Sequence, residues 1–148
     1  MDKIEQVITL AAPIDRVWRA ISGHREFGLW FKVALDQPFA AGEASTGHMT
    51  NKGYEHIRWN ADVEAVEAPR RLAFRWHPYA LERDRDYSSE PTTLVEFMLE
   101  AAESGTRLRV VESGFDALPD SRRDEAFRMN SNGWAKQMEN IRDYLAAG

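Results

Sequence analysis

Ile4, Ile8 and Leu10 fall on one face of the stretch from Lys3 to Leu10 and Lys3, Glu5 and Thr9 on the other, close to the period-two signature of a half-buried strand. Pro13 follows where a first helical turn accepts it, and Ile14, Val17, Trp18 and Ile21 recur at helical spacing as far as Ser22-Gly23. A second short helix is predicted from His24 to Phe31, with Phe27, Trp30 and Phe31 three or four positions apart. Alternation returns at Ile57, Trp59, Ala61, Val63 and Ala65, set against Arg58, Asn60, Asp62 and Glu64. After the turn at Pro69-Arg70-Arg71 it resumes with Leu72, Phe74 and Trp76 and stops at Pro78. A polar loop, Glu82 to Pro91, leads to a hairpin. Val95, Phe97 and Leu99 face one way, the turn AESG follows, and Leu108 and Val110 continue the apolar face. The hairpin's outer face sets acids against arginines, which fixes register more than it stabilises. From Ser121 to Ala147 the period becomes helical, with Phe127, Trp134, Met138, Ile141 and Leu145 on one stripe of a helix roughly 40 Å long.

A curved antiparallel sheet with one apolar face needs a cover, and the C-terminal helix is the only element long enough to provide it. The two short helices then close one end. A twisted sheet around a straight helix leaves a cleft, walled by inward residues such as Trp59, Trp76, Phe97 and Val110 from the strands and Phe127 and Trp134 from the helix. One inward position breaks the pattern: after Leu108 and Val110 comes Glu112. An unpaired carboxylate in an interior costs several kcal/mol, so Glu112 must be paired, protonated or wet. Two readings stand. Glu112 is a strand end that reaches solvent or accepts hydrogen bonds from backbone or a hydroxyl, or it is the pocket's polar anchor or a general acid/base.

Other residues carry weaker signals. Gly133 before Trp134 suggests a missing side chain that lets the helix approach the sheet while the indole fills the core, with ligand contact as a second use. Asn130, one turn earlier, could hydrogen-bond a ligand or cap a strand's end through water. His77-Pro78-Tyr79, beside a loop containing Asp84, Asp86 and Tyr87, could form the cavity mouth, and the run ERDRD reads as a solvated loop. His24, His48, His56 and His77 share no metal-ligand spacing, so no metal is expected, and Ser113-Gly114 does not match a nucleophile elbow.

Composition narrows the functional classes. With no cysteine, the chain can build no disulfide, iron–sulfur cluster or thiolate site. Nineteen Lys and Arg against 24 Asp and Glu give a net charge of -5, which argues against nucleic acid and anionic membranes. No apolar run approaches the ~20 residues of a membrane span, and no signal-peptide core follows the N-terminus, so a cytoplasmic protein is expected. Its 148 residues suit one domain, 1–148, without repeats or a linker.

The stretches APIDRVWRAI with LWF, LAFRW, GTRLRVVESGF and GWAKQMENIRDYL, in this order, resemble the activator of heat-shock ATPase homologue-like branch of the START/SRPBCC superfamily. The match spans nearly the whole chain. The resemblance implies an α+β helix-grip fold: an antiparallel sheet gripping a long C-terminal helix, two small helices after strand 1, and an internal cavity. It also implies a small, largely apolar ligand, aromatic or polyketide-like. On that reading Trp59, Trp76, Phe97, Val110, Glu112, Phe127, Asn130 and Trp134 form the binding site, with no cofactor. The alternatives are a cofactor-independent cyclase or hydratase using Glu112 as acid/base, and a co-chaperone-like interaction module. The polar outer faces disfavour a chaperone partner, and a homodimer is left open. The oxidoreductase label that some relatives carry is unsupported, because the chain has neither cluster cysteines nor a GxGxxG fingerprint.

Overall fold

A computed structural model describes residues 2–79 and 86–147. The elements run β1 (Lys3–Leu10), α1 (Ile14–Ser22), α2 (His24–Phe31), β2 (Val33–Leu35), β3 (Ala44–Met49), β4 (Arg58–Glu67), β5 (Arg71–Trp76), β6 (Thr93–Ala102), β7 (Gly105–Ser113) and α3 (Asp120–Ala146). A short 3-10 turn, Phe115–Ala117, precedes α3. The strands form one antiparallel sheet in the order β1-β7-β6-β5-β4-β3-β2. The sheet curves around α3, the helix-grip arrangement that the hydrophobic pattern predicts. The predicted loop segment Glu82 to Arg85, with Asp84, lies outside the described residues.

Alternation becomes burial almost residue for residue. Trp59, Ala61, Val63 and Ala65 of β4 are buried while Arg58, Asn60, Asp62 and Glu64 are exposed. Leu72 and Phe74 of β5, Val95, Phe97 and Leu99 of β6, and Leu108 and Val110 of β7 extend the same apolar layer. On the outer face Arg71 donates to Glu96 at 2.9 Å, Arg107 to Glu100 at 2.6 Å, and Arg109 to Glu5. These solvated pairs contribute a few tenths of a kcal/mol each and hold register. The β6–β7 turn needs glycine. Gly105 sits at φ +148°, and a Cβ there would lie 2.0 Å from the Leu10 carbonyl oxygen.

The helices bury the faces that their spacing marks. Val17, Trp18, Ala20 and Ile21 of α1 and Phe27, Trp30 and Phe31 of α2 are buried, and the Trp30 indole N–H donates to the Ala20 carbonyl at 2.8 Å. On α3 the stripe is Ala126, Trp134, Met138 and Ile141, while Phe127 and Leu145 are only half-buried at its margin. Two strands, β2 and β3, fall where the pattern marks none. In β3 the inward positions are Ser45 and Gly47, not large apolar residues: the Trp59 indole of β4 donates to Ser45 Oγ at 2.9 Å, and a Cβ at Gly47 would lie 2.2 Å from the Ala34 carbonyl oxygen of β2.

Candidate functional site

Glu112 is 0 % exposed, so it does not reach solvent; of that reading only the hydroxyl donor holds, and both oxygens are enclosed by donors. Antiparallel pairing sets Trp76 of β5 opposite Thr93 of β6, and Val95 opposite Glu112 of β7, so Thr93 is a diagonal same-face neighbour of the carboxylate. Trp76 Nε1 donates to Oε2 at 2.8 Å and Thr93 Oγ1 to the same oxygen at 2.6 Å. Asn130 and Trp134 stand one turn apart on α3 and reach down together. Trp134 Nε1 donates to Oε1 at 2.7 Å, and Asn130 Nδ2 spans both oxygens at 3.0 and 3.2 Å. Among the described residues Glu112 forms no ion pair. Neutral dipoles alone replace its water. Hydrogen bonds to a charged group each contribute about 1.5–3 kcal/mol, enough together to offset a desolvation penalty of several kcal/mol.

The indoles that hold Glu112 also wall a cavity of about 760 Å³. Its floor is a closed aromatic quartet: Phe31 to Trp59 at 5.4 Å between ring centroids, Trp59 to Trp76 at 5.3 Å, Trp76 to Trp134 at 6.0 Å, and Trp134 back to Phe31 at 5.9 Å. Four separate elements, α2, β4, β5 and α3, supply one ring each. The volume lies within the range of small-molecule sites, ~300–1,000 Å³. The rim is polar and mixed in charge, with His56, Arg58, His77 and Asp86. At Asp86, the Ser88 backbone N–H holds the carboxyl below its usual range.

Of the residues expected at the site, Trp59, Trp76, Asn130 and Trp134 line the cavity. His77, Tyr79, Asp86 and Tyr87 border it, as the expected mouth residues. Glu112, Phe97, Val110 and Phe127 are not part of the lining. Phe97 lies behind Trp134, 5.7 Å from its ring, Val110 is buried within the sheet layer, and Phe127 packs on Phe115 at 5.2 Å. Asn130 does not cap a strand's end through water; it holds a side chain directly. Its amide nitrogen is fixed on the Glu112 carboxylate near the end of β7, and its oxygen is left to the cavity side. Gly133 is also corrected. A Cβ there would meet nothing within 4 Å, so the glycine does not bring helix and sheet together but leaves the cavity open beside Asn130. Phe31, Tyr54 and Gln137 line the cavity without having been singled out. Phe31 reads as one more apolar residue of α2, and Tyr54 sits in a stretch without period. Among the described residues no cluster of His, Asp or Glu could hold a metal.

The Arg122 guanidinium, 7 % exposed, ties the rim to α3. It pairs with Glu90 at 2.8 Å and donates to the carbonyls of Pro78 at 2.8 Å and Tyr79 at 3.0 Å. The Tyr87 ring lies over it at 4.7 Å.

Sheet, gripped helix and an aromatic-walled cavity between them define a helix-grip protein of the SRPBCC kind. The profile of the family described as activator of Hsp90 ATPase homolog 1-like protein matches residues 11–146, and the chain belongs to that family. No curated protein matches the sequence. Solved structures share the fold at low identity. DynU16, a protein of the dynemicin biosynthetic locus, is 24 % identical with a TM-score of 0.76; the match covers 99 % of this chain, which spans about half of DynU16, 48 %. MLL2253 from Mesorhizobium loti is 23 % identical with a TM-score of 0.77, covering 98 % of this chain and 97 % of its own. A protein from Arthrobacter aurescens, solved by NMR, is 19 % identical with a TM-score of 0.79, covering 99 % and 87 %. Among the described residues no helix is long and apolar enough to cross a membrane.

Proposed function

We propose that residues 1–148 act as one cavity-forming domain that binds a small, largely apolar molecule, aromatic or polyketide-like, between the sheet and α3. The observation that carries this reading is the aromatic quartet at the floor of the cavity: flat, rigid π-faces suit planar apolar guests, which they contact with little loss of side-chain freedom. Helix-grip relatives often bind hydrophobic ligands, in keeping with this assignment. Binding is favoured over acid/base catalysis by Glu112, whose oxygens face protein donors and not the cavity. A docking role has less support. Apart from Tyr54 at the cavity, the large exposed apolar side chains among the described residues are Val7 and Leu29, which lie on different elements.

The test is a melting-temperature panel of small aromatic, polyketide-like and fatty compounds. A ligand at 100 times its dissociation constant adds about 2.7 kcal/mol of stability, which raises Tm by several degrees in a domain of this size. A shift confined to one class supports the reading and names the class. No shift across the panel overturns it.

A further inference from the structure

We infer that the polar anchor of the cavity is the side-chain oxygen of Asn130, held outward by Glu112, and that the site takes aromatic ligands bearing a hydroxyl or N–H donor. This rests on the cavity being a small-molecule site and specifies what such a molecule must offer. The inner wall carries several polar groups, and their partners can be assigned one by one. The Trp76 and Trp134 indole N–H groups point at Glu112, and that of Trp59 points at Ser45. Gln137 donates through Nε2 to the Phe31 carbonyl and accepts through Oε1 from Asn140. The three indoles therefore meet a guest with apolar faces only.

Asn130 differs. Which end of its carboxamide faces Glu112 is decided by chemistry, since the carboxylate oxygens there act as acceptors and only the NH₂ end can satisfy them. The Oδ1 atom is thereby turned to the other side. Asn130 lines the cavity whereas Glu112 does not, and among the described residues no group donates to Oδ1. A second, independent feature lies beside it: Gly133, one turn along α3, has open space where a side chain would stand. A planar ring can lie over bare helix there with its donor on Oδ1. Once a ligand covers Oδ1, an acceptor left without a donor is penalised, so an acceptor-only ligand is selected against.

The experiment compares 2-naphthol with 2-methoxynaphthalene by calorimetric titration of the full chain. The methyl ether is the more apolar, so hydrophobic burial alone favours it; the anchor reverses the order. Naphthol is expected to bind about tenfold more tightly, and Asn130→Leu to remove that preference, so that the ratio of the two affinities falls to one or below. Equal binding of both probes to the wild type overturns the anchor but leaves the cavity assignment standing. Binding of neither overturns both. Should Asn130→Leu not fold, the wild type still decides. The Asn130 carboxamide ¹³C resonance should move downfield with naphthol and not with the ether, and an unchanged resonance counts against the anchor.

Discussion

Trp76 and Trp134 approach the same carboxylate from opposite layers, the sheet indole 2.8 Å from Oε2 of Glu112 and the helix indole 2.7 Å from Oε1. Helix and sheet are thus joined by a polar clasp at the centre of an apolar interface, and the clasp orients the rings that face the cavity. Glu112→Ala orphans its buried donors and opens a void, so it is expected to cost about 3–5 kcal/mol in urea unfolding. Trp134→Ala should cost a similar ~3–5 kcal/mol, whereas Trp134→Phe, which keeps a ring and loses the N–H, should cost roughly 1.5–3 kcal/mol. A loss below about 1 kcal/mol for Glu112→Ala would mean that the clasp does not hold the layers together.

Gly133 separates two accounts of a mid-helix glycine. Where a glycine admits a close neighbour, alanine destabilises; here a Cβ meets nothing. Gly133→Ala is therefore expected to raise stability by ~0.5–1 kcal/mol through helix propensity alone. Thermal or urea melts that show a loss would place a neighbour against that face of α3.

Arg122 and Glu90 are nearly buried, and the guanidinium also holds the Pro78 and Tyr79 carbonyls. Removing one partner of such a pair leaves a charge without its counterpart, so Arg122→Ala should lose about 3–5 kcal/mol. Because Tyr79 and Tyr87 border the cavity, ligand affinity should fall as well. Retention of full stability would show the latch to be dispensable.

A second polar junction gives the fold a pH dependence. Burial works to raise Glu26, but the Tyr144 hydroxyl at 2.7 Å and Arg16 at 2.8 Å outweigh it and hold the carboxyl below its usual range. A carboxyl lowered on folding stabilises at pH above its unfolded value, and that contribution is lost as pH falls through the lowered folded value. The stability gap between wild type and Glu26→Gln, measured by urea melts, should accordingly be widest near neutrality and close in acid. A gap independent of pH would contradict the assignment.

The strands β4 to β7 and the stripe of α3 are legible in the sequence because each buries one face and wets the other. β2 and β3 are not, since the inward Ser45 meets the Trp59 indole and Gly47 admits the β2 backbone, and smallness leaves no hydrophobic period. Glu112 stands out as an anomaly, yet its partners lie 36, 19, 18 and 22 positions away and converge only through sheet register and the docking of α3. Nothing in the local pattern marks Thr93. The cavity lining is half legible for a related reason. Inward orientation is a property of one strand, but whether an inward ring reaches open space depends on what covers it: Trp134 stands before Phe97, while Trp59 and Trp76 remain at the edge of the cover.

On the proposed reading the ligand sits over the aromatic quartet and beside Gly133. The most direct test is the ligand-induced melting shift in wild type and in Gly133→Leu, using whichever compound of the panel stabilises the wild type most. The leucine side chain projects into that space, so the variant should melt at or above the wild-type temperature without ligand and show no ligand-induced shift. An equal shift in both proteins would mean that the compound binds elsewhere, and the cavity would lose its assignment.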